Sequence, residues 1–386
     1  MSEIDRIVQI TDRAGTGAPN FTNGVNFAGS DSGLSPHKHT EGNTEPSSPS
    51  NGDTWWDTDN DIYKVYMNNE RKDWLGTSAS AFTWGGDRGT FAGGYSSSFQ
   101  NVIDYVNVTS AGNASDFGDL TVARNGVSAT ASTTRNVFAD GWTGSVYTNV
   151  MDYITTATTG NATDFGDYTV ANTGGASGSA AYGHARGVTS DGTTGLFQGG
   201  FNGSARINDI HKITIASTGN SSDFGDLTVA RMRGGGACDA TRGLCSSGSG
   251  SGNSNVIDYT TIGTAGNATD FGDGTIVRTE LMGAADATRS LFAGGHGDGS
   301  ASERVTIDYV TTQTTGNATD FGDLTGQRFD GSANSNGTKA LFTGYWGGAT
   351  SNVIDQVTIQ TAANATDFGD LTTARFGQGA ASGTAS

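Results

Sequence analysis

From about residue 81 to the C-terminus, short apolar and polar positions alternate between stretches of glycine-rich punctuation. The alternation is plainest in 305–310 (VTIDYV), which turns one apolar and one polar face and so predicts a half-buried strand. Other segments are shorter and of three kinds. Some end in a glycine pair, as in 291–295 (LFAGG). Some are built from small residues, as in 126–132 (GVSATAS), which suits a crowded inner strand. Some follow an Asp-Phe-Gly-Asp tetrapeptide, as in 120–124 (LTVAR). The tetrapeptide itself has turn composition, an Asx-turn at the first Asp and glycine at a left-handed position. The pattern therefore predicts four antiparallel strands per unit, with the tetrapeptide as the turn before the fourth.

The unit recurs. Asp-Phe-Gly-Asp begins at Asp116, Asp164, Asp223, Asp270, Asp320 and Asp367, at intervals of 48, 59, 47, 50 and 47 residues. Such periods suit propeller blades. The long interval comes from about eleven extra residues in 172–186 (NTGGASGSAAYGHAR), which reads as a surface loop between intact strands. The last segment, 374–386, matches the first strand of a unit, whereas the first unit begins at its second strand. The two ends complete one blade. The expected fold is all-β, a six-bladed β-propeller over 80–386 closed by the C-terminal strand, rather than a solenoid needing caps.

Residues 1–79 carry no repeat and form a separate expected module. After a linker at 46–53, two aromatic strands flank an Asp/Asn turn, which predicts a small β-hairpin. Trp55, Trp56, Tyr63, Tyr66 and Trp74 are too many rings for a hairpin to bury alone, so they are expected to pack on the propeller, on another subunit or on a partner, docking being favoured over a simple capping hairpin. Residues 1–45 read as an extended arm. His37 and His39 would share one side of a strand, and three copies of the chain would offer six nitrogens to an ion. Two exposed loop histidines explain the pair more simply.

Sixty glycines and four prolines fit an all-β chain with many turns. The net charge of −18 argues against a nucleic-acid partner. No run of 18 apolar residues suggests a helical membrane span, and the charged start does not resemble a signal peptide. The repeated carboxylates invite a calcium reading. Arg124, Arg231, Arg278, Arg328 and Arg375, each five residues after the second Asp, favour structural pairing with that Asp. Arg88, Arg135, Arg242 and Arg289 are expected to join such pairs. No cofactor is expected. The six Asn-x-Ser/Thr matches read as turns, and Cys238 and Cys245 as small core residues. A catalytic pair should break the repeat, and no carboxylate, histidine and nucleophile set does so. The third unit departs from it in another way: His211-Lys212 replaces Asp-Tyr beside the inserted loop. Tyr182, His184 and Arg186 in that loop, with His211 and Lys212, are the candidate binding residues.

The Leu-Phe-x-Gly-Gly strand and a following tyrosine (Tyr105, Tyr153, Tyr259, Tyr309) resemble kelch-type propellers, without the tryptophan those units carry. The consensus Asn-Ala-Thr-Asp-Phe-Gly-Asp-Leu-Thr-x-Ala-Arg is similar to propeller-bearing virion proteins of marine, cyanophage-like tailed bacteriophages. That resemblance implies a structural protein of the virion (tail or fibre type), assembled in the host cytoplasm. It also implies anchoring to other virion proteins through residues 1–79, with the propeller displayed to host-surface glycan or protein. A homo-oligomer is compatible with it; an enzyme is not expected. The alternatives are a purely architectural head or neck decoration protein and, more weakly, a propeller glycan hydrolase.

Overall fold

The computed structural model describes residues 39–42, 53–57, 62–67, 70–73, 86–169, 187–202, 204–239, 241–297, 305–344 and 350–385. The chain divides into two units, 1–81 and 82–386.

In the first unit the expected hairpin is present, Thr54–Asp57 against Ile62–Met67, with Trp56 opposite Tyr63 and Trp55 opposite Lys64. Two further strands extend it. Glu70–Asp73 adds an antiparallel edge, and His39–Gly42, within the expected arm, pairs in parallel with Thr54–Asp57. Trp55 is buried. His37 and Trp74 lie outside the described residues.

The second unit is the expected propeller. Six four-stranded meanders form blades 1 to 6, at 88–119, 128–167, 187–226, 235–278, 282–323 and 332–370. Blade 1 takes its innermost strand, Gly379–Gly383, from the C-terminus; Ala380 pairs with Phe91 and Gly383 with Arg88. The innermost strands stand round the axis and are rich in Ala, Gly, Ser and Thr, leaving an axial cavity of about 110 Å³. Larger residues would not fit: a Cβ on Gly283 would stand 2.1 Å from the Gly236 carbonyl oxygen.

Apolar packing lies between blades. Phe138 of blade 2, for example, packs with Ile103, Phe117 and Leu120 of blade 1 and its link, and six such clusters complete the ring. The second-strand position is held by Phe91, Phe138, Phe197, Phe292, Phe342 and Cys245, each at most 1% exposed. Cys238 and Cys245 are buried free thiols.

One expectation is corrected. Asp-Phe-Gly-Asp is not a turn before the fourth strand; it is the fourth, outermost strand, as in Ser115–Asp119. The segment after it links one blade to the next, and only in blade 4 does the strand run on, Thr269–Arg278. Its glycine serves a close approach rather than a reversal. Gly118 has φ 147°, and a Cβ there would lie 2.4 Å from the Gly160 oxygen of blade 2. The same approach recurs in every blade, with Ala363 facing Gly322.

Candidate functional site

A meander sends its first and third turns to one face, called here the sewn face. The second-to-third loops and the links between blades emerge on the other, the loop face. The repeated chemistry faces the junctions and is consumed in holding blades together. At five junctions the link arginine pairs with an aspartate on the third strand of the following blade. The pairs are Arg124–Asp152 (3.0 Å), Arg231–Asp258 (2.9 Å), Arg278–Asp308 (2.8 Å), Arg328–Asp355 (2.9 Å) and Arg375–Asp104 (3.1 Å). The expected partner, the second Asp of the tetrapeptide, is nearer in sequence but not in space. Each third-strand carboxylate also accepts a link threonine hydroxyl, as from Thr121 to Asp152 at 2.6 Å. Both charges of each pair are at most 4% exposed, so they are stable only together. Burial lowers the pKa of Arg124 and Arg375, against the pull of the aspartates.

The sewn face repeats two further ties. Asn161 Oδ1 accepts the Asp119 backbone N–H of the preceding blade at 3.1 Å, and the other five sequon asparagines do the same around the ring. The amide is thus a blade-to-blade tie. Arg88, Arg135, Arg242 and Arg289 do not join carboxylates. They lie 4.2–4.9 Å over Tyr105, Tyr153, Tyr259 and Tyr309 and donate to carbonyls of the next blade, as from Arg88 to Thr156 at 2.9 Å. The first tetrapeptide carboxylates are exposed one per blade, and no group of three metal-ligating side chains converges among the described residues.

The junction between blades 2 and 3 is the exception, at both ends of the buried pair. Asn172 stands in the arginine's place in the sequence, and His211, paired in register with Phe197, stands in the aspartate's. Among the described residues a ring contact stands there: Tyr168, where other links have Leu or Gly, packs on His211 with ring centroids 4.6 Å apart. Tyr168 is 1% and His211 6% exposed. His211 therefore serves packing, and Lys212 is half-buried on the same strand, beyond its midpoint toward the sewn face. Neither lies at the loop-face end of that strand. Tyr182, His184 and Arg186 lie outside the described residues.

Sequence reasoning missed the rings of the loop face. Over blades 1 to 3 runs an aromatic arc: Phe376 against Tyr95 (5.6 Å), Tyr95 against Phe99 (5.0 Å), Trp142 against Tyr147 (4.6 Å) and Tyr147 against Phe201 (6.1 Å). Gly144 seats the second loop on the first, since a Cβ there would lie 2.5 Å from Phe99. Trp142, Tyr147 and Phe201 are half-buried, and Val146 beside them is 58% exposed. Their signal was the interruption of the glycine-pair pattern by Asp140-Gly141-Trp142 and by Phe201 directly after Gly199-Gly200. No protein-family model matches the chain, and no curated protein does.

Proposed function

We propose that the chain is a structural component of a tailed-phage virion, held by residues 1–79 and displaying a propeller that binds host-surface glycan or protein through its loop face. The virion assignment rests on the resemblance of the repeat. The binding role is carried by one observation: half-buried rings of Trp142, Tyr147 and Phe201 gather on the face where the blades differ. Stacked rings offer rigid contact area at low entropy cost and suit the apolar faces of sugars. The repeated ionic chemistry is committed to blade junctions, which favours binding over catalysis. The blade-to-blade ties also suit an architectural protein without a ligand. Host-cell adsorption of the purified chain separates the readings. Saturable adsorption, reduced by Trp142→Ala or by shortening 172–186 without loss of folding, supports binding. Absence of adsorption with the protein present in purified particles favours architecture, and absence from particles overturns the virion assignment.

A further inference from the structure

Among the described residues, every arginine of the propeller but one sets its guanidinium on a carboxylate or a backbone carbonyl. The exception is Arg206, which is exposed and whose guanidinium makes neither an ion pair nor a hydrogen bond there. Asp209, the nearest carboxylate along the chain, lies 4.0 Å from His211 Nε2 instead. The spare cation stands on the loop face, at the end of the blade 3 loop that also carries Phe201.

That loop is a tight hairpin. Asn202 N donates to Ala205 O (3.1 Å), and Asn202 Oδ1 accepts the backbone N–H groups of Ser204 (3.0 Å) and Ala205 (2.9 Å). Phe201 and Arg206 pair directly across it. Side chains so placed leave the sheet on one side, about 5 Å apart. Arg206 therefore leaves on the side where Phe201 meets Tyr147, with ring centroids 6.1 Å apart. In blade 2, Thr148 N on Gly141 O (2.9 Å) and Thr143 N on Val146 O (3.1 Å) hold the hairpin that presents Trp142 and Tyr147. Rings and cation thus stand on backbone fixed in advance, which lowers the ordering cost of binding.

Charge sets this region apart from the rest of a chain of net charge −18. The loops of the arc, 93–101, 141–149 and 199–208, contain no Asp or Glu. In the links, Arg233 pairs with Glu280, Asp330 N donates to Glu280 O (3.1 Å), and Asp330 is 5% exposed. The exposed tetrapeptide carboxylates stand one per blade beside the sewn-face turns. An anionic ligand is repelled there and meets Arg206 on the opposite face.

We propose that the loop face of blades 2 and 3 takes an anionic glycan, with Trp142 and Tyr147 against the apolar faces of its sugars and Arg206 on a carboxylate or sulfate that one of them bears. The inference rests on the glycan-binding reading and gives it a chemical class. A planar guanidinium meets such an oxyanion with two parallel hydrogen bonds, a geometry that a neutral hydroxyl does not match. Stacking on rings tolerates many sugars, so the selectivity comes from the cation.

The test uses the full chain on an array of oligosaccharides ending in neutral, carboxylated or sulfated sugars, followed by calorimetry with the best binder and its neutral counterpart. Acidic glycans should bind, and neutral counterparts should bind about tenfold more weakly. Arg206→Ala should erase that difference and keep the melting temperature, since the exposed guanidinium holds nothing among the described residues. Arg206→Lys, which keeps the charge without the planar fork, should retain part of the difference. Trp142→Ala should weaken acidic and neutral glycans alike. Binding in the carboxylated arm, the sulfated arm or both supports the proposal and identifies the oxyanion. Neutral glycans that bind as tightly as acidic ones, unmoved by Arg206→Ala, overturn the anionic class and leave the broader reading standing. An acidic preference that survives Arg206→Ala overturns the role of Arg206, and no binding to any glycan overturns both readings.

Discussion

The two faces of the propeller are built from the same repeats and obey different rules. On the sewn face each blade presents almost the same atoms, and those atoms are engaged by the next blade: an asparagine amide on a backbone N–H, an arginine on a carbonyl, a glycine under a neighbouring turn. On the loop face the equivalent positions hold Gly126, Arg233, Glu280, Asp330 and Gly377 in turn, and the second-to-third loops differ in the rings they carry. Interblade ties repeat where a change in one blade would break a bond to its neighbour. Side chains diverge where they face outward or toward the axis. Function is therefore sought on the face that lost its symmetry.

The largest effect should come from opening the ring. Deleting 374–386 removes the innermost strand of blade 1, leaves a sheet edge on Arg88–Ala92 and takes Arg375 away from buried Asp104. The last loss alone is worth about 3–5 kcal/mol. The truncated chain should be largely insoluble, or melt far below the intact one in a thermal scan. A melting curve matching that of the full chain would mean that the ring does not depend on this closure.

Next in size are the buried pairs, which contrast five junctions with one. Arg278→Met strands the Asp308 carboxylate and should cost about 3–5 kcal/mol in denaturant unfolding, whereas Arg278→Met with Asp308→Leu should recover most of it. At the odd junction the reverse substitution is informative. His211→Asp places a buried carboxylate under Tyr168 while asparagine, not arginine, holds the link position that pairs with it at the other junctions, and should destabilise. Adding Asn172→Arg should restore part of the loss. Equal stability of single and double variants would show that the exception is not a matched replacement.

These pairs also show where the sequence was legible. The period, the six blades and the closing strand could be read because each depends on spacing. The outermost strand could not, because Asp and Gly carry turn propensity and the glycine answers to a neighbouring blade instead. Proximity along the chain points Arg124 to the carboxylate just before it, whereas the ring brings it to Asp152 of the next blade. At blade 3 the sequence shows His211 in the aspartate's place and Asn172 in the arginine's, and only the two together mark a junction built differently from the other five. Arg233, Glu280 and Asp330 form no motif; separations of 47 and 50 residues hide a cluster that only the ring assembles.

Asp330, buried beside the paired Arg233 and Glu280, predicts a pH dependence of stability. A carboxyl held at about 7 in the folded protein, against 3.8 ordinarily, binds its proton more tightly when folded. Its effect on stability is favourable at low pH and is lost as pH rises through roughly 4 to 7, where the unfolded chain ionises first. Asp330→Asn removes this loss. Relative to the native chain, the variant should gain stability between pH 5 and pH 8 in paired thermal scans. A pH-independent difference would mean that Asp330 ionises normally.

The smallest expected effect tests the sewn face one stitch at a time. Asn161→Ala removes an exposed hydrogen bond to the Asp119 backbone N–H but leaves two backbone bonds between the same segments, from Gly160 to Phe117 and from Ala162 to Asp119. Water can replace the lost acceptor, so the cost should be at or below about 0.5 kcal/mol, a shift of roughly 1–2 °C in a domain of this size. The six asparagines lie far apart around the rim and share no partner, so their costs should add. Replacing all six should lower the melting temperature by close to the sum of the single shifts, with the binding proposed for the loop face unchanged. A large drop from one substitution would mean that the stitches act cooperatively. A change in binding would mean that the two faces are coupled through the blades, and the division between a structural face and a recognising face would have to be given up.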